Sequence, residues 1–89
     1  MTPDHIRAHR HSSQHREEIL ASEACGCFYY LTTFPPAAIT EWTDAHELCP
    51  EGNTALCPKC GIDSVIGSES GYPVTEEFLR SMEQHWFGS

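Results

Sequence analysis

The chain is poor in positive charge. Its 89 residues hold five Lys or Arg against 13 Asp or Glu, for a formal net charge of −8. The deficit is uneven. Residues 1–16 carry Arg7, Arg10 and Arg16 against Asp4, a net +2, while Lys59 and Arg80 face twelve acids in the remainder, a net −10. A body of that sign repels phosphate backbones, so nucleic-acid binding is disfavoured. Long apolar runs are also missing. None approaches the ~18 residues that a membrane span needs, and "MTPDHIRAHRHSSQH" has no apolar stretch of the kind a secretory signal carries. These absences set the expectation of a cytoplasmic protein with no membrane association. Two grounds argue against a disulfide framework: thiols stay reduced in that compartment, and five cysteines is an odd number. No nucleophile elbow, phosphate-binding loop or HExxH motif occurs.

What remains is a globular composition, 39% hydrophobic and 20% charged, in a chain short enough to need a staple such as a metal. Residues 1–11 lack apolar periodicity and are expected to form a flexible lead-in to a single small domain over 12–89. Ser12 or Ser13 is placed to cap a helix through "QHREEILAS", with Ile19 and Leu20 as its buried edge. "CFYYLTTF" (27–34) reads as a strand, stopped by Pro35 and Pro36. Ile39, Trp42 and Ala45 or His46 fall at helical spacing in "AAITEWTDAHE". "TALCPKCGIDSVIG" (54–67) reads as two short strands joined through the CPKCG turn. Thr75 caps a last helix with Glu76 and Glu77 in its first turn, an apolar face of Phe78, Met82 and Trp86, and Gly88 as its stop.

CPKCG (57–61) carries the strongest chemistry. Two cysteines with two residues between them can aim both sulfurs at one point, the turn's amides stabilise the thiolates, and Gly61 permits positive φ. Zinc wants four such ligands, so the rest must come from Cys25, Cys27, Cys49 or a histidine. A lone cysteine is otherwise a small buried hydrophobe, the preferred reading of Cys49. A redox CxxC expects a helix after the second cysteine, whereas "GIDSVIG" reads as strand. His5 and His9, and His11 and His15, are each four apart, a spacing that can chelate a metal on a helix or arise by chance in a soluble segment. Asp63 is placed to accept knuckle amides and Ser64 to pair across strands. His46 and His85 read as ordinary surface or half-buried residues.

The run "CGCFYY…FPPAAITEWTD…TALCPKCGIDSVIG…SGYPVTEEFLRSMEQHWF" resembles a family of small uncharacterised bacterial cytoplasmic proteins over about residues 11–87. That family's pattern is CxCFYC, then F-x-P-x-E-I-x-x-W, then CPxCGIDSVIG, then a helix ending in WF. The resemblance implies a four-cysteine zinc site in a zinc-ribbon- or treble-clef-like fold, and supports Cys27, Cys57 and Cys60 as ligands. It fails at Tyr30, where the family has cysteine, and a phenol is a poor zinc ligand beside thiolates. Either Cys25 takes the fourth place, or His46, Cys49 or water does, or the site is lost and Tyr30 packs there.

The expectation is therefore an α+β domain with a short β-hairpin core and three helices, holding Zn2+ through Cys25, Cys27, Cys57 and Cys60. Its expected role is an interaction or adaptor module for an unidentified protein partner. The competing expectation is a small metal-dependent hydrolase or His-Asn-His-type nuclease using His11 or His15.

Overall fold

The computed structural model describes residues 3–88. It is an α+β arrangement of three helices and two small antiparallel sheets. Helices α1 (Asp4–Arg7) and α2 (Arg16–Ala21) precede strands β1 (Cys25–Cys27) and β2 (Thr32–Phe34). Strands β3 (Trp42–Thr43), β4 (Thr54–Ala55) and β5 (Val65–Gly67) follow, and helix α3 (Glu76–Phe87) closes the chain. One sheet has the order β2-β1-β5 and the other pairs β3 with β4.

Strand β1 is the centre. Cys25, Gly26 and Cys27 pair with Phe34, Thr33 and Thr32 on one side and with Gly67, Ile66 and Val65 on the other. Alternation along a strand sends neighbouring side chains to opposite faces, so the sheet separates two cores. On one face Cys25, Cys27, Phe34 and Val65 pack with Ile19 of α2, Ile39, Ala55 and Cys57. On the other, Ile66 packs with Ala8, Phe28, Leu79 and Met82. A Cβ on Gly26 would meet Leu79 Cδ1 at 2.8 Å, so glycine there lets α3 lie directly on β1. Burying each large apolar side chain is worth ~1.5–3 kcal/mol.

Several expectations need correction. The segment before residue 12 is built into the fold: α1 leads into a 3₁₀ turn over Ala8–Ser12, and Ala8 is fully buried. Trp86 Nε1 donates to the His5 carbonyl at 3.4 Å, and the His9 ring lies 4.0 Å from that of Trp86. Neither Ser12 nor Ser13 caps α2. Ser12 donates to the His9 carbonyl instead, and the Arg16 amide is accepted by Asn53 Oδ1, a cap supplied from far along the chain. Ile19 is buried as expected, but Leu20 faces solvent.

The helix expected in "AAITEWTDAHE" does not form. A 3₁₀ turn over Pro36–Ala38 gives way to extended chain, and Trp42 and Thr43 pair with Ala55 and Thr54. Thr40 and Thr43 are β-branched and weak in helices, and Arg16 covers the Trp42 ring at 4.4 Å, so sheet pairing wins. The two strands flanking CPKCG exist, but they belong to different sheets. On α3 the Thr75 cap holds, with its hydroxyl accepting from the Phe78 amide at 3.3 Å. The buried residues are Leu79 and Met82, while Phe78 is half-buried and Trp86 exposed.

Candidate metal centre

Three thiols meet between the end of β1 and the turn after β4. The sulfurs of Cys27, Cys57 and Cys60 all lie within 4.8 Å of one another. Cys27 Sγ and Cys60 Sγ are 3.6 Å apart. That is far beyond a disulfide bond of about 2.05 Å, and all five cysteines are free. Two thiolates on one tetrahedral zinc, with a Zn–S distance of about 2.3 Å, stand about 3.8 Å apart. The donor set and spacing fit a soft divalent ion.

Two turns build the cluster, and they share one backbone plan. In the first, the amides of Tyr29 and Tyr30 donate to Cys27 Sγ at 3.4 and 3.2 Å. In the second, the amides of Lys59, at 3.4 Å, and Cys60 donate to Cys57 Sγ. The Leu31 amide donates to the Cys27 carbonyl at 2.9 Å, and the Gly61 amide to the Cys57 carbonyl at 2.9 Å. Leu31 has φ +59° and Gly61 φ +75°. Cys27 pairs with Thr32, and the Cys57 amide donates to the Ile62 carbonyl. The strand expected over 27–34 is thus a hairpin whose turn repeats the backbone plan of the CPKCG turn. Leucine at the left-handed position concealed it, because glycine is the residue that ordinarily marks such a turn.

The electrostatics of the cluster invite a cation. Burial pushes Cys57 up, but the Cys60 and Lys59 amides and the neighbouring thiols outweigh it and the net shift is downward. Cys60 is pushed up to about 12, first by burial and then by the thiols of Cys57 and Cys27, against the Ile62 amide. Without a cation a negative charge on Cys60 is opposed, whereas a bound ion deprotonates its thiols outright.

Ser64 was missed as a member of the site. Its side chain is buried, and Oγ lies 3.0 Å from Cys27 Sγ, so it does not serve as a cross-strand pair. Only its place seven residues after Cys57 hinted at this. Asp63, expected to accept knuckle amides, is exposed and makes no such contact.

The other candidate ligands lie apart. Cys25 is fully buried in the core, with its thiol pushed up to about 11 by burial, and it is not in the thiol group. Tyr30 is 58% exposed, so its ring is not packed in place of a lost ligand. Cys49 bonds the Gly52 carbonyl at 3.2 Å, and His46 Nδ1 accepts from the Leu48 amide at 3.2 Å, both in the β3–β4 loop. Among the described residues no histidine, carboxylate or further thiol joins the group.

The paired histidines are occupied separately. His11 Nδ1 lies 3.0 Å from Glu18 Oε1. His15 is buried, with Nδ1 on the His11 carbonyl and Nε2 accepting the Ala55 amide at 3.1 Å. Burial lowers its pKa more than the His11 carbonyl raises it. An imidazole with a donor role at one nitrogen and an acceptor role at the other is held neutral.

No protein-family model, curated protein or solved structure matches the chain.

Proposed function

We propose that the chain is a zinc-stabilised protein-interaction module of the cytoplasm, related in plan to zinc-ribbon and treble-clef domains. The observation that carries this reading is the three-thiol cluster of Cys27, Cys57 and Cys60, joining the β1–β2 hairpin to the turn that leaves the β3–β4 sheet. Two thin sheets with such a staple suit a structural role for the ion. A partner face is available beside it. Tyr29 and Phe87 are 45% and 40% exposed, with ring centroids 4.7 Å apart. Phe87 and Trp86 border a cleft of about 320 Å³ that reaches Phe28, Ile62 and Ser64. Clustered exposed aromatics are typical of interface cores.

The hydrolase reading finds less support. His15 has both ring nitrogens committed inside the fold, and His11, paired with Glu18, is not part of the thiol group that could hold a metal. No helix of the described chain is long and apolar enough to cross a membrane.

Two measurements test the proposal. Native mass spectrometry of protein purified without chelator is expected to give one zinc per chain, with melting temperature falling on chelation. A photo-crosslinking residue at position 29 or 87, introduced in cells, is expected to give a discrete adduct. The same residue at Leu48, which is 93% exposed in the β3–β4 loop, is expected to give none. Zinc-free protein whose melting ignores added zinc removes the metal half, and identical background at all three positions removes the partner half.

A further inference from the structure

We propose that the metal held by Cys27, Cys57 and Cys60 keeps its fourth position for an external ligand, a small thiol, which enters at the corner belonging to residue 30. This rests on the metal reading above and deepens it. The two turns repeat one geometry: paired amides on the first sulfur, an amide closing onto the first carbonyl, and a left-handed residue one place after the fourth position. In the second turn the fourth position is Cys60. In the first it is Tyr30, so three corners of the tetrahedron have protein thiols and the backbone supports a fourth that has none.

Among the described residues no histidine, carboxylate or further thiol takes that corner. A tyrosine whose Cα stands where a cysteine's would puts its whole ring between Cβ and the oxygen, so the phenol overshoots. The 58% exposure of Tyr30 agrees with a ring turned outward. Cys25 lies two residues back along β1, one strand repeat of about 6.7 Å from Cys27, with its side chain sealed in the core. Ser64 is engaged with Cys27 Sγ, where a hydroxyl bonding a thiolate is a far weaker metal donor than sulfur.

A site with three protein ligands and one free position is the plan of an exchangeable metal. With three sulfurs already present, a fourth soft donor is favoured over water. The exchange balances simply: the incoming thiol forms the metal–sulfur bond, the metal-bound water leaves, and the thiol proton passes to solvent. No oxidant or reductant is consumed.

The test uses the full chain loaded with Co2+, whose visible and near-ultraviolet bands report the number of thiolates. Adding 2-mercaptoethanol to the wild-type protein is expected to give a saturable rise in thiolate-to-cobalt absorption, with one thiol bound per chain by native mass spectrometry. Tyr30→Cys is expected to match the saturated spectrum, to ignore added thiol, and to bind zinc at least about tenfold more tightly. A wild-type cobalt spectrum already showing four thiolates, or one unmoved by the thiol, overturns the open corner while leaving the metal reading intact. So does a spectrum that loses a thiolate band in Cys25→Ser, which would identify an internal fourth donor. Absence of any cobalt–thiolate band overturns the metal reading and this inference with it.

Discussion

The turns at 27–32 and 57–62 run the same course and are supported differently. In the second, Pro58, Lys59 and Gly61 are exposed, and beyond hydrogen bonds its support is the sulfurs themselves. In the first, Phe28 is buried among Ala8, Ile66, Leu79 and Met82, Leu31 packs against the same cluster, and the Phe28 amide bonds the Ser64 carbonyl at 2.9 Å. One turn is exposed around its two thiols, while the other is also a piece of the hydrophobic core. That difference explains how the first can lack a cysteine at its fourth position and keep its shape.

The comparison breaks most visibly at Phe28. Phe28→Ala should cost about 3–5 kcal/mol in urea unfolding with chelator present, whereas Pro58→Ala at the equivalent exposed position should cost no more than about 1 kcal/mol, the backbone freedom that proline removes from the unfolded chain. Equal losses would mean that the first turn is not held by packing. Next in size is the metal. At free zinc a hundredfold above its Kd, wild-type stability should rise by about 2.7 kcal/mol over chelator, and Cys57→Ser should lose that increment. A Cys57→Ser variant that still gains stability from zinc would show that the second turn does not hold the ion.

Much of this difference is present in the residue string and some is not. CPKCG announces its turn through proline, glycine and paired sulfur, and the Thr75-to-Gly88 helix announces itself through cap, charge and stop. The hairpin at 27–34 was hidden because its turn residues are aromatic and leucine, which propensity assigns to strands. The fate of 36–47 was hidden for another reason: Trp42 and Thr43 answer to Thr54 and Ala55, and spacing within one segment cannot reveal a partner elsewhere. The cap of α2 by Asn53 is illegible on the same ground. Cys27, Cys57 and Cys60 were legible as a group. That Cys25 stays out of it follows from the depth of β1 in the core, a property of three paired strands that no local pattern encodes.

A smaller effect separates the two left-handed positions. Gly61→Ala places a side chain at φ +75° and should cost about 1–2 kcal/mol. It does so with nothing within 4 Å of the new Cβ, so the loss reports backbone strain alone. An unchanged melt would imply that the second turn relaxes in a way the first does not.

Protons offer a control distant in sequence from both turns. His15 has its pKa lowered from 6.5 by burial, so below that value the unfolded chain binds a proton that the folded chain resists. Stability in chelator should be full above pH 6.5 and fall below it, by no more than about 1.4 kcal/mol per pH unit. Removing the imidazole should flatten that limb without altering the dependence on zinc. The smallest change is expected from Tyr30→Phe, within about 0.5 kcal/mol and with zinc affinity unaltered, because an exposed phenol is not a ligand. A fall in affinity would place the phenol oxygen on the metal.

The position of β1 between β2 and β5 also orders events in time. Its pairing with β2 spans only the few residues of the knuckle, whereas its pairing with β5 joins Cys27 to Val65, 65 − 27 = 38 residues further along the chain. Short loops close in tens of nanoseconds and hairpins in microseconds, while distant pairings must first overcome a larger entropy loss. We therefore expect the hairpin to form before the sheet is complete, presenting Cys27 early and acquiring Cys57 and Cys60 only when β5 docks. Stopped-flow refolding of Thr33 and Ile66 variants can test that order. Substitutions at Thr33 should slow folding, and those at Ile66 should chiefly hasten unfolding. The reverse pattern would make the long-range strand the nucleus and the knuckle its late addition.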